Sequence, residues 1–236
     1  MAAKLVTFDI TNTCIRIVPS VGHHYSRAVQ NYGVHLDPSQ LDKAFNLMFK
    51  KMNGELPNFG RQCNITCQDW WQKISSGTYA AVGMKQEEIV QQIGNKLYTD
   101  FAGPQNWEVY PDVVPTLQTL KQKGLVLGVI SNFDDRLKPI LRSLKIADLF
   151  DFTLASYEVG FCKPDPRLFQ LALTMAQVRA DQATHVGDNY ELDYKAAGAA
   201  GMRSLLLTRK ETLPKPVEPA SCITTLTELI ELFPGG

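Results

Sequence analysis

Four short polar clusters along this chain each close an apolar stretch, and together they hold the residue types that a phosphoryl group and a hard metal ion require. Asp9 ends Lys4-Leu5-Val6-Thr7-Phe8 and opens Asp9-Ile10-Thr11-Asn12-Thr13, while Ser131-Asn132 follows Leu125-Val126-Leu127-Gly128-Val129-Ile130. Lys163 stands in Gly160-Phe161-Cys162-Lys163-Pro164-Asp165-Pro166, and Ala183-Thr184-His185-Val186 runs into Gly187-Asp188, with Asp193 five positions after Asp188. Carboxylates are hard oxygen donors suited to Mg²⁺. A lysine and a hydroxyl can bind phosphate, and a carboxylate set in an anion cradle can act as a nucleophile.

Each cluster alone has a plainer reading. Asp9 can cap a turn, the Asp188 and Asp193 pair can cap a helix, Lys163 can be a solvated surface lysine, and Ser131 can cap a helix starting near Asp134. Their joint occurrence at the ends of successive apolar runs favours one shared site, because the carboxyl ends of parallel strands lie on one edge where ligands bind. Asn12 tolerates the left-handed backbone of a sharp turn, and Thr13 offers a hydroxyl and an amide beside Asp9.

The elements that must position these residues read as an α/β fold. From Leu125 onward, strands near 125–130, 152–155, 183–186 and 203–207 alternate with helices over Asp134 to Leu144, Asp165 to Val178 and Glu191 to Ala200, the βαβ rhythm of a parallel sheet. The continuous apolar run before Asp9 suits a central strand of that sheet. Residues 17–103 read as helices only: Asp37-Pro38-Ser39-Gln40 combines an N-cap, an N1 proline and a capping-box glutamine, and Leu41, Ala44, Phe45, Met48 and Met52 then share a face. Pro19-Ser20-Val21-Gly22 and Gly103-Pro104 punctuate the ends of this segment. The expected organisation is a Rossmann-like parallel-sheet core from residues 1–16 and 104–236, carrying an inserted helical cap domain over 17–103. Within the cap, Arg61 follows Gly60 and is the candidate partner for a substrate anion; Asn58, Trp70 and Trp71 line a pocket or pack the cap. His23 and His24 have no partner visible in the sequence.

Composition narrows the field. The 24 basic residues balance 24 acidic ones in a chain of 236 residues, so no broad basic face recommends nucleic acid or an anionic membrane. A small-molecule substrate is the expectation. The early first strand leaves no room for a leader and no apolar run has membrane-spanning length, which leads to the expectation of an intracellular, cytoplasmic protein. The 5 cysteines are then free thiols, and Cys63 and Cys67 lack a second ligand pair for zinc.

At these residues the chain resembles the haloacid dehalogenase-like hydrolase superfamily, whose four motifs match Asp9 to Thr13, Ser131, Lys163, and Gly187-Asp188 to Asp193. The position of the insert is similar to the family's type 1 cap. The resemblance implies that Asp9 is the nucleophile and forms an aspartyl-phosphate, that Ser131 and Lys163, with Asn132 and Thr13 beside them, bind the phosphoryl group of a small phosphorylated substrate, and that Asp9, Asp188 and the Thr11 carbonyl hold Mg²⁺ with Asp193 in or near its shell. One departure stands out: the family's phosphatases usually carry a second aspartate where this chain has Thr11, and a threonine alcohol is too weak an acid to protonate a leaving alkoxide. Slow hydrolysis is therefore expected, or a binding or regulatory role that keeps the cation and anion site. Two other chemistries of the superfamily fit less well. The dehalogenases lack the Gly-Asp pair found here as Gly187-Asp188, and phosphonoacetaldehyde hydrolase needs a cap lysine, for which Lys50 and Lys51 lie on the solvent side of their helix.

Overall fold

The computed structural model describes residues 3–209 and 217–233. In chain order its strands and α-helices are β1 (Leu5–Phe8), β2 (Ile15–Ile17), α1 (Val21–Gln30), α2 (Pro38–Glu55), α3 (Cys67–Ala81), α4 (Glu87–Asp100), β3 (Trp107–Val109), α5 (Val113–Gln122), β4 (Val126–Ser131), α6 (Leu137–Ser143), β5 (Phe152–Ala155), α7 (Ser156–Val159), α8 (Pro166–Ala176), β6 (Ala183–Gly187), α9 (Ala196–Ala199), β7 (Arg203–Leu207), β8 (Cys222–Ile223) and α10 (Glu228–Leu232). Two compact units result: Met1–Arg16, Val109–Asn132 and Leu144–Gly236 form the first, and Ile17–Glu108 with Phe133–Ser143 forms the second.

The first unit is built on a six-stranded sheet of order β5-β4-β1-β6-β7-β8, with parallel neighbours throughout. All four residues of β1 and all five of β6 are buried, as strands covered on both faces must be. Leu5, Ile130, Leu154, Leu168, Phe169, Ala172 and Ala183 pack into one core with Ala196, Ala197 and Met202. Each large side chain buried this way contributes about 1.5–3 kcal/mol of transfer free energy. The central strand β1 lies between β4 and β6 in register, Phe8 opposite both Val129 and Val186. Because the chain builds outward from β1 on one side through β4 and β5, and on the other through β6 and β7, the carboxyl end of β1 is the switch point at which such sheets open a crevice.

The second unit is helical apart from its share of the paired strands β2 and β3. Its helix starts follow local rules: the Ser20 hydroxyl accepts from His23 N–H, Asp37 caps α2 with Pro38 in the first turn, and Thr66 and Asp69 form a reciprocal capping box on α3. Tyr25, Val29, Leu41, Tyr79, Met84, Val90, Ile93 and Leu97 form its core. Trp70 is buried and its indole N–H reaches the Leu56 carbonyl at 2.8 Å, which makes it a packing residue. His24 Nε2 donates to the Val18 carbonyl at 2.8 Å, and His23 Nδ1 lies 2.8 Å from Ser20 Oγ. Both histidines therefore have local partners that sequence inspection did not disclose.

Phe133–Ser143 belongs to the helical unit because Arg136 ties it there. The Arg136 guanidinium forks onto the fully buried Asp134 carboxylate, donates to the Tyr98 carbonyl at 2.9 Å, and lies over the Tyr98 and Trp71 rings at 4.2 and 5.0 Å. Trp71 completes the cluster by donating its indole N–H to Asp134 at 2.6 Å. The sequence pattern predicts one helix from Asp134 and another over Glu191 to Ala200. The first starts only at Leu137, since Asp134 instead accepts from the Arg136 backbone N–H, and the second divides into a π-helical segment, Tyr190–Lys195, and the short α9. Among the described residues, no helix is long and apolar enough to cross a membrane.

Candidate active site

The site gathers at the end of β1. Asp9 is anchored there by its backbone N–H, which donates to the Val186 carbonyl at 2.9 Å. The chain then turns sharply: Asn12 takes a left-handed conformation with φ 61°, and Thr13, Cys14 and Ile15 N–H all converge on the Ile10 carbonyl. Asparagine visits that conformation at low cost, which fits its place in the turn. Thr11 pairs with Ile15 in the same turn. Thr13 is fully buried, and its hydroxyl finds no hydrogen-bond partner among the described residues. A buried hydroxyl without a partner costs about 1–3 kcal/mol, a feature expected where a ligand supplies the missing bond.

Ser131, last residue of β4, donates its hydroxyl to Asp9 Oδ1 at 3.2 Å, and Lys163 Nζ donates to the same oxygen at 2.7 Å. Both of these side-chain hydrogen bonds fall on Oδ1. Lys163 Nζ also meets Asp193 Oδ1 at 2.5 Å, so one ammonium, 3 % exposed, bridges two carboxylates. Asn132 acts on Lys163 from the main chain: its side-chain amide donates to the Lys163 carbonyl and accepts from the Lys163 N–H. The lysine thus emerges from a backbone held at a fixed distance from β4.

Asp193 is fixed from three directions. Its Oδ1 takes Lys163 and His185 Nε2, the latter at 3.1 Å, while its Oδ2 accepts the Asn189 N–H at 3.0 Å. The π-helical segment starts after Asn189, whose side chain caps it through Glu191 and Leu192 N–H, and this local widening places Asp193 over the end of β6. Gly187 is required there, because a Cβ would overlap the Asp193 carboxylate. Asp188 follows, solvent-exposed, and one carboxylate oxygen each from Asp9, Asp188 and Asp193 lie within 4.8 Å of one another.

The electrostatics follow from this crowding. Burial pushes the Asp9 carboxyl above its usual range, Lys163 pulls it back and Asp193 pushes it up again. Burial likewise opposes charge on Lys163, but Asp193 and Asp9 overcome it and hold the ammonium above the ordinary lysine range. Asp193 is driven well below the carboxylate range, since Lys163 and His185 outweigh its burial. Partial removal from water and the charges of Asp9 and Asp193 raise Asp188 to about 7; with its outer face in solvent, the neighbouring carboxylates carry the physical argument. Three carboxyls face one ammonium, so negative charge is in excess once Asp9 and Asp188 are ionised. Hard oxygen donors, that charge and an open side toward water fit a divalent cation such as Mg²⁺, with Asp9 and Asp188 as ligands, Asp193 through its less occupied Oδ2, and the Thr11 carbonyl in the adjoining turn.

Of the residues singled out in the sequence, Asp9, Ser131, Asn132, Lys163, Asp188 and Asp193 come together in the first unit, with Thr11 and Thr13 in the turn after Asp9. Arg61 lies in the second unit, exposed, just past the buried 3₁₀ segment Asn58–Gly60 in which Asn58, Phe59 and Gly60 all have positive φ. Lys50 and Lys51 are exposed on α2, and all 5 cysteines are free. His185 also belongs to the site; its sequence signal is a titratable residue inside a run otherwise suited to complete burial.

A family model described as haloacid dehalogenase-like hydrolase matches residues 3–201. The chain is 38 % identical over 208 residues to haloacid dehalogenase-like hydrolase domain-containing protein 3 of Danio rerio, covering 88 % of this chain and 86 % of that one. It is 36 % identical to the human protein of the same name, over 89 % of this chain and 84 % of the other. Among solved structures, a 2-haloacid dehalogenase from Pseudomonas syringae pv. Tomato DC3000 superposes with a TM-score of 0.70 at 27 % identity, covering 98 % of this chain and 97 % of the other. A HAD phosphatase from Thermococcus onnurineus, at 23 % identity, has the same fold with a TM-score of 0.67, covering 100 % and 99 %.

Proposed function

The chain belongs to the haloacid dehalogenase-like hydrolase family, and we propose that it is a Mg²⁺-dependent phosphohydrolase that works through an aspartyl-phosphate at Asp9 on a small phosphorylated compound. The observation that carries this reading is the bridge from Lys163 Nζ to Asp9 Oδ1 at 2.7 Å within a cluster of three carboxylates. A positive group fixed beside a nucleophilic carboxylate offsets the charge of an incoming phosphoryl group, which would otherwise be repelled by Asp9 itself. Asp188 distinguishes this from dehalogenation: a halide-releasing site that works without a cation has no use for a third carboxylate.

In the first step an Asp9 oxygen attacks phosphorus as the bond to the leaving oxygen breaks. In this reading Lys163, Ser131 and the Thr13 hydroxyl take the phosphoryl oxygens. Asp9, Asp188 and Asp193 would hold Mg²⁺, which when bound would supply positive charge to offset that of the phosphoryl group. Thr11 donates no proton to the departing oxygen, so the leaving group departs as an anion or takes its proton from water. In the second step water attacks the same phosphorus, releases inorganic phosphate and regenerates the Asp9 carboxylate. With no carboxylate at position 11 to accept the proton of that water, turnover is slow; a missing general acid–base group typically costs about 10²- to 10⁴-fold.

That deficit favours a second reading, a binding or regulatory protein that holds the cation and anion but turns over little. One experiment separates the two: hydrolysis of an aryl phosphate with and without Mg²⁺, alongside Asp9→Asn. A good leaving group needs no proton, so turnover that depends on both Mg²⁺ and Asp9 supports the hydrolase. Absence of turnover in the folded wild-type protein with Mg²⁺ would transfer the assignment to the binding reading.

A further inference from the structure

His185 takes no part in the steps above, yet it is wired to them. It lies within β6, its side chain fully enclosed, with its ring edge-on to Phe169 at a centroid separation of 5.2 Å. The parallel register sets it directly opposite Thr7 of β1, and the Thr7 hydroxyl lies 2.8 Å from His185 Nδ1. On the other side of the ring, Nε2 lies 3.1 Å from Asp193 Oδ1.

The proton positions follow from what each neighbour can do. An ionised carboxylate only accepts, so Nε2 must carry the hydrogen that meets Asp193. The Thr7 hydroxyl has one acceptor at full hydrogen-bond distance, Nδ1 at 2.8 Å, so a neutral ring with a bare Nδ1 satisfies both groups. The Thr7 hydroxyl must then donate to Nδ1. Its other neighbour, the Thr184 carbonyl, is 3.5 Å away and competes poorly. Four side chains form a directed chain: Thr7 to His185, His185 to Asp193, and Asp193 receiving Lys163, which also holds Asp9.

We propose that His185, fixed by Thr7 as the Nε2–H tautomer, is a positioning residue that orients the Asp193 carboxylate and thereby sets the place of the Lys163 ammonium beside Asp9. Without it, Asp193 Oδ1 would be held only by Lys163, and the pair could turn together away from Asp9. A histidine rather than an aliphatic residue suits this buried strand because its donor on one edge and acceptor on the other link β1 to the π-helical segment. The role of Lys163 in phosphoryl binding rests on the reading above; the tautomer and the orientation of Asp193 do not.

The test starts from the full-length wild-type chain labelled with ¹⁵N-histidine. Its 4 histidines give separate imidazole signals, and those of His185 are assigned by their loss in His185→Gln. A protonated Nε2 with a bare Nδ1 is expected, and a ring protonated on Nδ1 would overturn the proposal. His185→Gln keeps an N–H donor near the place of Nε2, whereas His185→Leu removes it. The loss of an outer hydrogen-bond partner at such a site typically costs about 10- to 100-fold, so His185→Leu should weaken Mg²⁺ binding by calorimetry and lower aryl phosphate turnover by that order, with His185→Gln recovering most of it. Equal losses in both folded variants would also overturn it. If His185→Leu does not fold, Thr7→Val decides: without the hydroxyl donor, the tautomer signal of His185 should change, and an unchanged signal counts against the chain of hydrogen bonds. Should Asp9→Asn retain full turnover, the phosphohydrolase reading fails while the tautomer result stands on its own.

Discussion

The Asn132 side chain and the Lys163 main chain are joined twice, Asn132 Nδ2 donating to the Lys163 carbonyl at 2.9 Å and the Lys163 N–H donating to Asn132 Oδ1 at 2.7 Å. An asparagine directly after β4 therefore holds the loop after β5, and the ammonium of Lys163 inherits that fixed origin. Asn132→Ala removes both bonds and should cost about 1–3 kcal/mol of stability in denaturant titration. Asn132→Asp keeps the acceptor but sets a carboxylate against the Lys163 carbonyl, and should lower aryl phosphate turnover at least as far.

Lys163→Met leaves Asp9 and Asp193 buried beside each other without a cation. Breaking a buried pair in this way costs about 3–5 kcal/mol. Asp9→Asn should cost far less, because burial already disfavours the Asp9 charge and Lys163 keeps Asp193. Thermal melts that rank the two variants in the opposite order would show that Asp9, rather than Asp193, carries the structural burden.

Thr11→Asp sets a second carboxylate in the turn after Asp9. If Asp9, Ser131, Lys163 and the cation are otherwise in place, turnover of alkyl phosphates should rise toward the about 10²- to 10⁴-fold expected of general acid–base catalysis, and a trapped aspartyl-phosphate or its fluoride mimic should clear faster. In the wild type, aryl phosphates should outrun alkyl ones steeply. A rate that does not respond to leaving-group pKa would identify another proton source.

Asp112 predicts an acid limit to stability. Burial works to raise its pKa, but hydrogen bonds from Arg209, the Leu226 N–H and Thr225 outweigh it and hold the carboxyl below its ordinary range. A depressed folded pKa means that the contribution is complete above about pH 4, where the unfolded carboxyl is also ionised, and is lost as pH falls through the folded value. Wild type and Asp112→Asn should therefore differ most near neutrality and converge below about pH 4 in thermal melts. Arg209 also donates to the Thr13 carbonyl at 2.7 Å, so acid loosening should be felt in the turn after Asp9.

Much of the site could be read from residue types because its members sit where strands end, and strand ends follow from apolar runs. Asp9, Ser131 and Asp188 are placed by β1, β4 and β6 alone. Lys163 and Asp193 needed more: one depends on the Asn132 clamp and the other on a π-helical turn, and neither a side-chain clasp nor a half-residue change in helical winding leaves a periodic trace. His185 was hidden because its partners, Thr7 and Asp193, lie far from it or across the sheet in the chain. The membership of Phe133–Ser143 was hidden for the same reason, since Arg136 meets Tyr98 and Trp71 only in three dimensions.

That last attachment bears on how this architecture can be recombined. The chain passes from one unit to the other four times, at 16–17, 108–109, 132–133 and 143–144, and not twice as a simple insertion would require. A chimaera that exchanged residues 17–103 for the helices of another family member would remove Trp71 and Tyr98 but keep Asp134 and Arg136, stranding a buried carboxylate and its guanidinium two residues beyond Asn132. The transplanted helices would then arrive with a disturbed segment directly after β4. Recombination should succeed only when 133–143 travels with the helices, so that sequence blocks separated by more than twenty residues behave as one heritable cassette.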